Sequence, residues 1–504
     1  KPRLDKTEPL GYIFFDFLKT DGNMDVRVWN SFLKGPIRVP GSKSHTIRAV
    51  IFAAMAEGVC EITNPLTGED CRSAIGAVGL MGAQAECEGE LWRIRGAGEK
   101  LHLPSDVVHV GNSGSVLYFL SPIAACFDGW SVFTGDESIR SRPVAHLADA
   151  LGQAGAQVHI SRPGSSTPPI LIRGPIKASH IRTDGRLSQY ISGFMMAAPL
   201  LDGTTDIELT DPKETAYLVM TKSWLEKLGV PVTADKDMKH IRVQGPKRIQ
   251  AFNTAIPSDW EAAAFPLTAV CIGSGEVSIE HIDTSGSQCD ALIVPLLRSL
   301  GADIRLDRDT HALHIKGGAR LSVEHFASFC ANETEEDRRG IGFSLCDYAR
   351  MDDTDADSAD AAGTLRINCS SFPDAVCALA VTACFTEGTI VLEDIGVCRS
   401  KETDRIRVMA EQLSSLGADI REGKDFLTIR GRSPITKDGL PNGAFTLHGG
   451  TVESKKDHRV AMSLMCLGLA LKKGQELTVK DAECCSVSFP GFIEKMRSLG
   501  AFIS

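Results

Sequence analysis

Apolar residues recur along this chain at helical spacing and then change to alternation, and the change falls each time on a glycine. The segment Arg405-Ile406-Arg407-Val408-Met409-Ala410-Glu411-Gln412-Leu413-Ser414-Ser415-Leu416 sets apolar side chains three or four residues apart and stops at Gly417. A glycine there can take the left-handed backbone that ends a helix. Ala418-Asp419-Ile420-Arg421-Glu422, a polar turn at Gly423-Lys424-Asp425, and Phe426-Leu427-Thr428-Ile429-Arg430-Gly431 then predict a hairpin. Related patterns surround Gly82, Gly155, Gly229, Gly301 and Gly500, with successive spacings of 73, 74, 72, 116 and 83 residues. Other hairpin strands end on a second glycine, as in Leu91-Trp92-Arg93-Ile94-Arg95-Gly96 and Leu313-His314-Ile315-Lys316-Gly317. A unit of this length exceeds the roughly 20 to 50 residues of solenoid repeats, so the pattern predicts six small α/β subdomains.

Bulk properties add a few limits. With 504 residues the chain predicts two or more domains, and 43% hydrophobic with 23% charged residues is the balance of a globular enzyme. The apolar run at 194–201 is far shorter than a membrane span, so no membrane partner is expected. The stretch 10–18 carries Asp16 and lacks a small-residue cleavage pattern, so it is not read as a signal peptide. Met24 is a candidate start, which would make residues 1–23 a loose extension. Fifteen scattered cysteines with no Cys-x-x-Cys spacing predict free thiols in a reducing cytoplasm and no metal site. The net charge of -10 is concentrated: residues 333–360 hold ten acidic and three basic side chains, so the remainder is close to neutral. That excludes a basic face for nucleic acid and predicts a solvated, mobile insertion over about 330–365 in the longest interval.

Candidate chemistry sits where helices begin. Val39-Pro40-Gly41-Ser42-Lys43-Ser44-His45-Thr46-Ile47-Arg48 is a strand-to-helix passage with two cations, an anion-binding pattern that lacks P-loop spacing. Gly111-Asn112-Ser113-Gly114 opens a second helix, and Pro143 suits a first helical position with Arg142 at the helix mouth. If a helix begins near Lys401, then Lys401 and Arg405 share a face and Glu402 lies between flanking cations. Asp457-His458-Arg459 precedes an apolar helix, and Asp374 reads by itself as the N-cap of the helix entered at Ala375-Val376-Cys377.

In order, the Pro-Gly-Ser-Lys-Ser, Gly-Asn-x-Gly, Arg-Pro, Ser-Gln, Pro-Asp-Ala, Lys-Glu-Thr-Asp-Arg and Asp-His-Arg motifs resemble the 5-enolpyruvylshikimate-3-phosphate synthase family over about residues 35–504. The resemblance implies the α/β, two-domain enolpyruvyl transferase fold: six repeated subdomains, three per domain, closing over a central cleft. The expected domains are 1–40 with 255–504, and 41–254. It implies transfer of the enolpyruvyl group of phosphoenolpyruvate to the 5-hydroxyl of shikimate 3-phosphate with release of phosphate, in a cytoplasmic monomer that uses no cofactor. In that reading Lys43 bridges both substrates, and Ser44 and Arg48 hold the shikimate part. Arg142, Arg405 and Arg459, with Gly114 and its backbone, hold phosphoenolpyruvate, and Gln189 lies between the ligands. Asn112, Ser188, Tyr217 and His458 are further substrate-binding residues, Lys401 assists at the shikimate phosphate, Asp374 accepts the hydroxyl proton, and Glu402 protonates the methylene carbon. Planar guanidinium groups match carboxylate and phosphate in bidentate fashion, and two separated carboxylates supply the acid and the base.

Several positions depart from the family pattern. Tyr118 and Val487 stand where the family carries cations, Leu187 replaces the first Ser of Ser-Ser-Gln, Glu214 aligns with a phosphate-binding Ser, and Val397 aligns with an Asn that contacts shikimate. A carboxylate at 214 would repel an acceptor phosphate. The alternatives are thus an enolpyruvyl transferase for a different, non-phosphorylated alcohol, or a catalytically inactive binding relative. The UDP-N-acetylglucosamine enolpyruvyl transferases carry a Cys where this chain has Glu137 and lack the Lys-Glu-Thr-Asp-Arg segment.

Overall fold

The computed structural model describes residues 24–333, 344–352 and 363–504; the 1–23 extension and much of the acidic insertion lie outside the described residues. All six helix-ending glycines have positive φ, between 71° at Gly229 and 105° at Gly82. A residue with a Cβ would be strained there, so the sequence period marks real helix stops. Among the described residues six separate sheets follow, five of four strands and one of five. In a typical sheet His180–Thr183 runs parallel to Gly203–Leu209, which pairs antiparallel with His240–Gly245, which in turn pairs antiparallel with Val232–Ala234. The fifth strand, Ala349–Met351, lies antiparallel to Thr364–Asn368 with Arg350 opposite Arg366. The expected loop over 333–360 is therefore interrupted by a strand, whose Ala349 is buried together with its partner Ile367.

The glycines that end the hairpins meet a different constraint. A Cβ on Gly96 would stand 2.1 Å from the Ala56 carbonyl oxygen, on Gly174 2.2 Å from that of Ala125, on Gly245 2.2 Å from that of Ala198, on Gly317 2.3 Å from that of Val270, and on Gly431 1.8 Å from that of Ala383. The strand thus passes directly over the end of its own subdomain's helix, and only a residue without a side chain allows the approach.

Buried apolar residues divide into two cores. One contains Val26 to Val39 and Trp260 to Ile503, and the other Ile47 to Ile256. At the centre of each stand three apolar helices: Lys43–Met55, Gly114–Ala124 and Ser188–Ala197 in one, Trp260–Ile272, Val376–Cys384 and His458–Ala470 in the other. The chain crosses between the bodies twice, and the crossings are tied to each other by Ser42 N–H to Pro257 O at 2.8 Å and Asp259 N–H to Pro40 O at 2.9 Å. Strand Asn253–Ala255 still pairs with Glu57–Thr63, so we propose 40–42 and 256–259 as the domain limits, slightly beyond 254 on the return. Val26–Trp29 completes the last sheet by pairing with Glu476–Lys480 and Phe502–Ile503. Both ends of the described chain are held in one sheet.

His45 links the bodies in a pH-sensitive way. Its Nδ1 accepts the Trp224 indole N–H at 3.0 Å, which leaves the proton on Nε2 to be donated to Ser287 Oγ at 3.1 Å across the crossing. Burial, followed by nearby Arg48, pushes its pKa down to about 4. A histidine whose folded pKa lies below its unfolded value of about 6.5 contributes stability that is complete above pH 6.5 and lost as pH falls toward 4. The expected loss over that window is about 3 kcal/mol, and His45→Gln should remove this component from urea-unfolding curves collected between pH 4 and 7. Gly431→Ala should cost about 1–3 kcal/mol in the same measurement, because the clash is with backbone. Gly152→Ala is the control: exposed in helix Ala145–Gln153 with open space around it, it should gain up to about 1 kcal/mol.

Candidate active site

The N-terminal ends of the six central helices all contribute to the cleft between the cores. Lys43 opens its helix, donates its N–H to Asp259 Oδ2 at 3.2 Å, and sets its ammonium 3.4 Å from Asp70 Oδ2. Arg48, 2% exposed, is held by neutral oxygens: Thr221 Oγ1 at 2.9 Å, Ser44 O at 3.0 Å and Tyr217 O at 3.1 Å, with its guanidinium 4.8 Å from the Phe119 ring centroid. Burial without a paired carboxylate lowers its pKa to about 10, still cationic at neutral pH. Ser113 caps Gly114–Ala124 through the Val116 N–H. Gly114 lies against Arg142, where an added Cβ would stand 2.6 Å from Nη1. Arg142 reaches Asn112 Oδ1 at 3.1 Å, Ser138 Oγ at 3.2 Å and, in the other body, Glu402 Oε1 at 3.6 Å.

Arg405 is the hub of the opposite wall. Its guanidinium donates to Asp457 Oδ2 at 2.8 Å, Asp374 Oδ1 at 2.6 Å and Glu402 Oε2 at 2.5 Å. Arg459 adds Nε 3.1 Å from Asp374 Oδ1 and a hydrogen bond to Glu261 Oε2. Burial raises the Asp374 pKa, but Arg459, then Lys401 and Arg405, outweigh it and hold the carboxyl well below the usual range. For Glu402, burial is likewise outweighed by Arg405 and Arg142. Both carboxylates are ionised at neutral pH.

Tyr217 and Lys401 join the two walls. The Tyr217 hydroxyl, with one proton to donate, lies among Glu261 Oε1 at 3.1 Å, Asp374 Oδ2 at 3.2 Å and Asp290 Oδ2 at 3.4 Å, and burial followed by these carboxyl groups raises its pKa well above 10. Lys401 donates to Glu214 Oε1 at 2.6 Å, while Glu214 Oε2 accepts from Ser188 N–H at 3.1 Å and Ser188 Oγ at 2.8 Å. Gln189 donates to Ser115 Oγ at 3.0 Å. Six cations (Lys43, Arg48, Arg142, Lys401, Arg405, Arg459) face eight carboxylates (Asp70, Glu214, Asp259, Glu261, Asp290, Asp374, Glu402, Asp457). Burial pushes the Asp70 and Asp290 pKa values up and that of Asp259 to about 7, the direction that offsets the excess of carboxyl groups. The ion pairs occupy anion-binding groups that incoming carboxylates and phosphates could take over.

Lys43, Ser44, Arg48, Arg142, Ser188, Gln189, Tyr217, Asp374, Lys401 and Glu402 line one cavity. Asn112, Gly114, Arg405 and Arg459 form the layer behind it through the contacts above. His458 is buried with Nε2 unpaired, and burial drives its pKa well down despite Glu402, so it is neutral. Three local expectations are corrected. The helix after Lys401 starts at Arg405, since Asp404 caps it through the Arg407 N–H, and Lys401 belongs to the preceding turn. Pro143 precedes the helix Ala145–Gln153, and Arg142 follows a short 3-10 turn. Asp374 is no cap: it sits inside the turn Pro373–Ala375, and its carboxylate is drawn to Arg405 instead. Sequence reasoning missed Asp70, Asp259, Glu261 and Asp290; only Asp259 had a local signal, as the cap of Trp260–Ile272. Tyr118, where a cation is expected, is buried with its hydroxyl on Pro143 O at 2.7 Å. Val487 is buried as well.

The family model for EPSP synthase (3-phosphoshikimate 1-carboxyvinyltransferase) matches residues 30–327 and 349–496. The 3-phosphoshikimate 1-carboxyvinyltransferase of Acetivibrio thermocellus is 33% identical over 481 residues, covering 95% of this chain and 99% of the relative. The enzyme of the same name from Methanothermobacter thermautotrophicus is 32% identical over 479 residues, covering 95% and 99%. A solved EPSP synthase from Acinetobacter baumannii superposes with a TM-score of 0.71 at 26% identity, covering 96% of this chain and all of that one. No described helix is long and apolar enough to cross a membrane. A match over most of the chain, with the two-domain enolpyruvyl transferase fold and the ordered motifs in one cleft, establishes that this chain belongs to the EPSP synthase family.

Proposed function

We propose that the protein is a 3-phosphoshikimate 1-carboxyvinyltransferase of the shikimate pathway, moving the enolpyruvyl group of phosphoenolpyruvate to the 5-hydroxyl of shikimate 3-phosphate and releasing phosphate. The observation that carries the reading is the convergence of Asp374 and Glu402 on one guanidinium, Arg405, beside the same cavity. Two carboxylates of separate origin can divide acid and base duties. Asp374 takes the proton of the attacking hydroxyl, held for it by Arg459, Lys401 and the Tyr217 hydroxyl. Glu402 delivers a proton to the methylene carbon, which makes C2 electrophilic. The hydroxyl oxygen adds at C2; phosphate then leaves with the proton taken up by Asp374, as the methyl group returns a proton to Glu402 and the double bond re-forms.

The ion pairs supply a reason for the order of events. Glu402 is ionised because Arg405 and Arg142 face it. Phosphoenolpyruvate brings a carboxylate and a phosphate that compete for those same guanidinium groups, which raises the Glu402 pKa and loads it with the proton it must deliver. Lys43, between Asp70 and the cavity, joins both substrates, with Ser44 and Arg48 on the acceptor. We infer a monomer in a reducing, cytoplasmic setting, in keeping with the buried free thiols. Phosphate release and product mass should appear on incubation with phosphoenolpyruvate and shikimate 3-phosphate; absence of both would refute the reading. Asp374→Asn and Glu402→Gln should each lower kcat by about 10²- to 10⁴-fold while keeping a cooperative unfolding transition.

A further inference from the structure

Glu214 is unlike the other carboxylates of the cleft. It occupies the N-cap position of Thr215–Lys227, yet its side chain does not cap that helix. The carboxylate turns instead to the first residue of Ser188–Ala197, where it accepts from both Ser188 N–H and Oγ, and it takes the ammonium of Lys401 from the other body. Its backbone is left-handed, φ 53° and ψ 33°, a strained conformation for a residue with a side chain. The strain is held from across the cleft by Glu214 N–H to Ser370 O at 2.8 Å and by the neighbouring Lys213 on Asp394 Oδ2 at 2.7 Å. Glu214 is 1% exposed, and its surroundings form a finished anion site: a helix N-terminus, a hydroxyl and an ammonium around one negative group.

The other cations of the cleft have different attachments. Lys43 pairs with Asp70, Arg405 and Arg459 pair with Asp374, Asp457, Glu402 and Glu261, Arg142 faces Glu402, and Arg48 is held by neutral oxygens. Lys401 and the Ser188 helix end form the remaining convergent set on the acceptor side, and a carboxylate of this chain already fills it. We propose that Glu214 is a specificity-determining residue: its carboxylate stands in for an acceptor phosphate between Ser188 and Lys401, so a phosphorylated acceptor must displace it and the corresponding unphosphorylated hydroxy acid enters without that penalty. The identity of the acceptor in this inference rests on the enolpyruvyl-transfer reading. Two anions sharing one ammonium repel each other, so displacement appears in acceptor KM rather than in the chemical step.

The test compares wild type, Glu214→Ser and Glu214→Gln with shikimate 3-phosphate and with shikimate, by turnover with phosphoenolpyruvate and by calorimetric binding of each acceptor alone. Glu214→Ser should lower KM and Kd for shikimate 3-phosphate by 10-fold or more with kcat within about threefold, and should not tighten shikimate. Glu214→Gln, which keeps the shape and an acceptor for Ser188, should shift in the same direction and serves if the serine variant fails to fold. Unchanged or weaker shikimate 3-phosphate binding in the folded variants would overturn the proposal and leave Glu214 as a structural tie between the domains. Lack of turnover by every variant would refute the reaction instead, and the calorimetric comparison would still decide the role of Glu214.

Discussion

A guanidinium with no exposure to water must find its partners inside the protein, and Arg405 finds three from separate stretches of chain: Asp374, Glu402 and Asp457. Removing one partner from such a buried pair commonly costs about 3–5 kcal/mol, so the network confines the places these carboxylates can occupy. Asp457 has no contact with the cavity and serves to aim the arginine. Asp374 and Glu402 are then both held against it, lining the same cavity. The geometry of the site follows from satisfying one buried charge.

The same requirement extends across the gap between the cores. Glu402 meets Arg142, Tyr217 meets Asp374, and Glu214 meets Lys401, each pair with one member from either body. The charged side chains of the cleft pair with one another, and burial raises the pKa values of Asp70, Asp259 and Asp290. In the proposed reaction, anionic ligands would exchange with these internal ion pairs, which would couple ligand charge to the protonation of Asp374 and Glu402. The six helix N-termini supply a favourable field that no single side chain could.

Much of this was legible in the chain because it rests on local rules. Gly82, Gly155, Gly229, Gly301, Gly417 and Gly500 announce helix stops since only glycine takes positive φ there without strain. Gly96, Gly317 and Gly431 announce the hairpin ends, and their role as points of backbone contact emerges only when strand and helix are seen together. Motif order pointed to residues that line the cavity, such as Lys43, Gln189, Asp374 and Glu402, while Asp70, Glu261 and Asp290 were not singled out. A lone carboxylate near a helix start looks the same whether it faces solvent or a buried arginine. Asp374 illustrates the reverse error: its position reads as a cap, but the pull of a buried guanidinium 31 residues away in sequence decides where it points.

The amino-acid sequence by itself determined the six-fold repeat, the subdomain type and the family, because backbone conformation and hydrophobic periodicity are properties of short segments. Only the tertiary structure decided how charges pair. Coulombic partners are chosen by distance and burial, which depend on how two bodies meet and not on spacing along the chain. Glu214 shows the difference most clearly: from the chain it is a carboxylate where an anion is expected to bind, and in the fold it is the anion that binds.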